Sequence, residues 1–244
     1  MTVVDISLLL ESLDETLHAN VASAANARQY ATFPSLAVWN AGPAQRSLNM
    51  READVNGVFT APPPLEPGDP PPPTTYLDCI GMQRVIMARA LIVTVAGNSL
   101  QFKHEFDALG FTTGSLTQYW NDPHYVMTLN QMRVGDVAMF NNFEYDTYFT
   151  THPLTSGWQS ENVIKVAQDL YYGFDKAPQS WAGGRATLAA GWNTDKNPGV
   201  ATVVTPDQIT FNGRVRFFEV ANLVAKVFAE RKAELSRYVQ EHNL

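Results

Sequence analysis

Cys79 is the one thiol in the chain, and it stands directly after Asp78 and directly before the apolar run 80–93. A thiol attacks only as the thiolate, so it needs a proton acceptor and surroundings that favour negative charge. Ile80, Met82, Val85, Ile86, Met87, Ala90, Leu91, Ile92 and Val93 predict a helix that is apolar over most of its circumference and buried in the fold. Cys79 then falls in its first turn. Unpaired N–H groups and the helix dipole at that end favour a thiolate and can hold an oxyanion. Asp78, at the N-cap position, opposes this with a neighbouring negative charge. The same address also suits an inert cysteine, packed as a small apolar residue.

The usual partner for such a nucleophile is histidine. The chain has His18, His104, His124, His152 and His242. His18 and His242 fall near the two ends of the sequence in helices expected to be exposed, and His104 on a helix surface. None stands at the head of a strand followed by an apolar run, where a papain-like fold delivers its histidine. Glu161 does, directly before Asn162-Val163-Ile164-Lys165-Val166-Ala167. Asp136, after Gly135, reads as a turn residue, and Asn141 and Asn142 as makers of local backbone bonds. Trp120, Trp158, Trp181 and Trp192 read as core or groove residues. The stretch Trp181-Ala182-Gly183-Gly184-Arg185 is no phosphate loop, and His104-Glu105 does not continue into the zinc-peptidase motif. No metal and no organic cofactor is expected.

The order of these elements resembles the protein-glutamine gamma-glutamyltransferase family of Bacillus spore coats. The matching positions are Gly135-Asp136, a strand ending in Phe140-Asn141-Asn142, then Trp158-Gln159-Ser160-Glu161-Asn162-Val163-Ile164, then Tyr171-Tyr172-Gly173. The family's nucleophile element, an aromatic, any residue, an acid and cysteine, is matched by Tyr76-Leu77-Asp78-Cys79. The resemblance spans residues 75–180. It implies an α+β, papain-like fold in which the buried central helix, with cysteine at its N-terminus, packs on an antiparallel sheet.

It implies further that Cys79 is the nucleophile, Glu161 the base and Asp78 a supporting acid. Trp158, Tyr171, Tyr172 and Asn162 would line the substrate slot. The implied reaction is attack on a glutamine carboxamide with loss of ammonia, followed by aminolysis of the thioester by lysine to an isopeptide crosslink. Its substrates would be glutamine- and lysine-bearing proteins. A carboxylate of about 4.3 is a poor acceptor for a thiol of about 8.5, so this role requires Glu161 to be partly buried. Two positions depart from the pattern: Asp78 stands where the family usually has glutamate, and Phe174 where it has histidine. The same thiol would also serve a papain-like hydrolase, a glutamine deamidase or cell-wall peptidase. A non-catalytic protein-binding domain of the same fold is the third reading.

Other elements must position these residues. Ile6, Leu9, Leu10, Leu13 and Leu17 fall at helical spacing behind Asp5, a candidate N-cap. Residues 62–73 hold eight of the fifteen prolines and read as a polyproline II loop or linker. Strands are expected over 137–140, 162–167 and 170–174, the last two as a hairpin, with one or two more over 201–219 and a closing helix from Val220. With 244 residues, the chain is expected to form one domain: a helical portion 1–60, the loop 61–74 and a catalytic core over about 75–215. A net charge of −7 argues against nucleic acid and anionic membranes as partners. Acidic residues in the first seventeen positions argue against an export signal, and no segment is apolar enough to span a bilayer. The expectation is a protein cytoplasmic as synthesised. A spore coat, or export as an effector, is compatible with the resemblance.

Overall fold

A computed structural model describes residues 3–27, 31–32, 50–61, 67, 75–77, 79–96, 112–115, 124–126, 128–142, 158–173, 177–195 and 203–215. The fold is α+β, as the sequence predicts. Helix α1 runs Val3–Asn26, α2 Glu52–Phe59 and α3 Cys79–Ala96. A four-stranded antiparallel sheet follows, built from β4 (Val137–Asn141), β5 (Ser160–Ala167), β6 (Leu170–Tyr172) and β7 (Thr210–Phe211) in the order β6-β5-β4-β7. Short pairs lie outside it: β1 (Ala31–Thr32) with β2 (Thr75–Tyr76), and β3 (His124–Tyr125) with β8 (Arg214–Val215). Helix α4, Trp181–Asp195, completes the described elements.

The sheet has a core layer on each face, and strand alternation decides which residue enters which layer. Val137, Ile164, Val166 and Tyr172 pack with Leu17, Val21 and Ala25 of α1, Val55 and Val58 of α2, and Val85, Ile86 and Leu91 of α3. Ala138, Phe140, Val163 and Tyr171 pack on the other side with Leu188, Ala189 and Trp192 of α4. Each of the larger side chains removed from water in this way contributes about 1.5–3 kcal/mol. Two polar ties hold the helical layer in register. Asn20 Nδ2 donates to Thr94 Oγ1 (2.9 Å), and Arg89 Nη1 donates to Asn56 Oδ1 (2.6 Å) while its guanidinium lies over Phe59.

Asp136 is the turn residue its sequence suggests. Its Oδ2 accepts the Arg133 N–H at 2.7 Å, and Gly135 beside it has φ +92°. A Cβ at Gly135 would stand 2.7 Å from the His18 carbonyl oxygen, so glycine lets the turn seat on α1. His18 itself is buried, contrary to the exposed position expected for it, because it fills this junction. Helix α1 begins at Val3, so Asp5 lies inside it and does not cap it. Helices α2 and α4 were not anticipated, and residues 203–205 carry no strand. The proline run (apart from Pro67), Asp78, Trp120, Phe174, the side chain of His124, His104, His152 and the closing helix with His242 lie outside the described residues.

Candidate active site

Cys79 is the first residue of α3 and is partly buried. The helix starts there because Ile80 onward supplies the apolar surface that the sheet and α1 cover. The strand that meets it is β5, and the contact is specific: Asn162 Nδ2 donates a hydrogen bond to Cys79 Sγ at 3.2 Å. The sequence assigns Asn162 to substrate binding; the structure places it on the thiol. An amide N–H offered to sulfur favours the thiolate over the thiol, but an amide cannot accept the proton.

Glu161 is almost fully buried, at 2% exposure. It precedes Asn162 in the same strand, so its side chain leaves on the opposite face of the sheet. Two contacts agree with that placement. Glu161 is paired across the sheet with Phe140, which lies in the α4 layer. A Cβ built on Gly173 would meet Val163 Cγ1 at 3.0 Å and Glu161 Cγ at 3.2 Å, and Val163 belongs to the same layer. The thiol therefore meets Asn162, while the glutamate side chain sets out toward α4.

The expected aromatic slot divides in the same way. Tyr172 stands opposite Ile164 in the layer that contains α3, on the thiol's side of the sheet. Tyr171 points the other way, edge-on to Phe140 with ring centroids 5.4 Å apart. Burial, with the Asp169 charge nearby, pushes the Tyr171 phenol up to about 12, so it stays neutral near pH 7. Trp158 packs on the α4 layer, and its ring lies so close to Gly191 that a Cβ there would overlap it.

On the thiol's side, β4 and β5 present successive pairs: Val137 with Ile164, Met139 with Asn162, and Asn141 with Ser160. Asn141 thus sits on the same face as Asn162, one pair nearer the end of the sheet. It is buried, and its Oδ1 has no hydrogen-bond partner. Asn142, facing away, is used structurally: its Nδ2 donates to the Trp158 carbonyl and its N–H to the Gln159 carbonyl. Gln83, one helical turn after Cys79, is buried with neither amide atom hydrogen-bonded. The sequence offered no sign of either orphan, because both depend on what packs against them.

Among the described residues, no group of three or more His, Cys, Asp or Glu side chains is placed to hold a metal ion. No helix among them is long and apolar enough to cross a membrane.

No family model and no curated protein matches the sequence. Among solved structures, a transglutaminase from Geobacillus stearothermophilus, determined without its C-terminal extension, is similar over 88% of this chain and 95% of its own. The TM-score is 0.51 and the identity 16%. At that identity the likeness is one of architecture: the chain has a transglutaminase-like fold.

Proposed function

We propose that the chain is a cysteine acyltransferase of the transglutaminase type. The observation that carries this reading is the hydrogen bond from Asn162 Nδ2 to a thiol at the start of a buried helix, within a transglutaminase-like fold. Cys79 Sγ attacks the side-chain carboxamide carbon of a protein glutamine. The C–N bond breaks, nitrogen leaves as ammonia with the thiol proton, and a thioester remains. A lysine ε-amine then opens the thioester to an isopeptide bond, returning a proton to sulfur. The N–H groups at the head of α3 donate to the developing oxyanion, and Asn162 holds the sulfur as its charge changes.

The proton is carried by a carboxylate that flanks this pair in sequence. Glu161 is the buried one, and the resemblance assigns it the role. Its side chain leaves β5 on the face opposite Asn162. Asp78, adjoining the thiol in sequence, is the second carboxylate. The experiment is amine incorporation into a glutamine-bearing protein by wild type, Cys79→Ala, Glu161→Gln and Asp78→Asn. Loss in the cysteine variant supports the reading, and the two acid variants identify the base. Ammonia release without amine incorporation would instead favour the hydrolase reading.

A further inference from the structure

The side-chain oxygen of Asn141 has no hydrogen-bond partner, although the chain has buried it beside the thiol's own hydrogen-bond donor. The residue is 9% exposed, and its Oδ1 makes no hydrogen bond. Leaving a buried acceptor unsatisfied is costly, and native chains seldom do so unless another group completes it. Strand register says which group this could be. Met139 is paired with Asn162 and Asn141 with Ser160, so Asn141 and Asn162 are diagonal neighbours on the face that meets Cys79. Such neighbours stand about 7 Å apart, the span of one small polar group held between them.

The orphan is an oxygen, hence an acceptor, and what it needs is an N–H or O–H. Of the groups that reach a nucleophilic thiol in acyl transfer, a primary carboxamide carries N–H, whereas an ester carries none at the acyl group. Asn162 is not the group that completes this oxygen, since its Nδ2 donates to Sγ and Asn141 Oδ1 is left without a hydrogen bond.

We infer that Asn141 is a specificity residue that accepts a hydrogen bond from the carboxamide nitrogen of the acyl donor, selecting primary amides over esters. The inference rests on the acyl-transfer reading above and adds the group that recognises the leaving nitrogen. While Sγ bonds to the carbonyl carbon, Asn141 Oδ1 holds one N–H. The nitrogen then departs as ammonia with the thiol proton, and no proton passes to Asn141.

The test compares two acyl donors on the full chain: an N-blocked glutaminyl-glycine, and the γ-methyl ester of the matching glutamyl peptide. Transfer to a fluorescent primary amine is the readout. Asn141→Ala should lower kcat/KM for the amide donor about a hundredfold and leave the ester donor within about threefold. Asn141→Ser, which keeps an acceptor oxygen, should recover part of the amide activity. The rate of Cys79 alkylation by iodoacetate, a reagent without N–H, should be unchanged in both variants, showing an intact thiol site. Equal losses on both donors, or no loss on either, would overturn the assignment while leaving acyl transfer standing. Wild type inert toward the amide donor would overturn acyl transfer and this inference together.

Discussion

Asn162 and Cys79, 83 positions apart in sequence, meet through a 3.2 Å hydrogen bond from the asparagine amide to sulfur. It joins the start of the buried helix to the start of the long strand. A hydrogen bond to an ionised acceptor is worth about 1.5–3 kcal/mol. Asn162→Ala should therefore slow alkylation of Cys79 by iodoacetamide at pH 7 by about tenfold or more, with the far-UV spectrum unchanged. A rate equal to wild type would mean the bond does not bear on the thiolate.

The placement of Glu161 makes its part separable from that of Asn162. A base must exchange a proton with sulfur, so Glu161→Gln would lower amine incorporation by about a hundredfold or more, and the pH profile of the residual turnover would lose its acidic limb. If Glu161 only supports the strand from the α4 side, Glu161→Gln keeps most of the activity and Asp78→Asn loses it. Rates measured between pH 5 and 9 in both variants distinguish these outcomes.

Gln83 lies one helical turn beyond Cys79 at 1% exposure, with neither amide atom hydrogen-bonded. Methionine fills similar volume without the buried donor and acceptor. Gln83→Met should raise stability by about 1–2 kcal/mol, read as a higher urea midpoint at unchanged m-value. A lower midpoint would show that the amide has a partner in solution.

His18 supplies a pH dependence. Its pKa is lowered chiefly by burial and then by the Arg133 guanidinium, whose Nη2 lies 3.4 Å from Nε2; Asp14 and Asp136 pull the other way. With a folded value below the unfolded value of about 6.5, the unfolded chain binds more protons between the two. Stability should thus fall as pH drops below about 6.5 and level off beneath the folded value. His18→Gln should flatten that dependence in urea midpoints measured from pH 7.5 to 5. An equally steep fall in the variant would assign the effect to other groups.

The sequence made the thiol helix, strand β4 and the β5–β6 hairpin legible because their periodicities are strong. Cys79 opens its helix as expected, and β5 begins at Ser160, two residues before the predicted start. Helix α4 escaped because glycines at 183, 184 and 191 weaken the helical pattern. Its start was nonetheless written in the sequence: Ser180 Oγ accepts the Gly183 N–H at 3.1 Å, an N-cap ahead of a weak helix. At the site, residue types were readable and faces were not. Glu161 and Asn162 differ by one position, and one position reverses the face, so which of them meets the thiol depends on how β5 is paired with its neighbours. The buried His18 was missed for a related reason, since its cover comes from the turn at Gly135, far downstream in the sequence.

The most direct measurement is intact-mass analysis of the protein incubated with a glutamine-bearing peptide, first without and then with a primary amine. The account predicts an adduct on Cys79 equal to the peptide less ammonia. Added amine should discharge it, yielding the amine-substituted peptide, and neither species should form with Cys79→Ala. Amine incorporation that persists in Cys79→Ala, or an adduct mapped to any other residue, would contradict it.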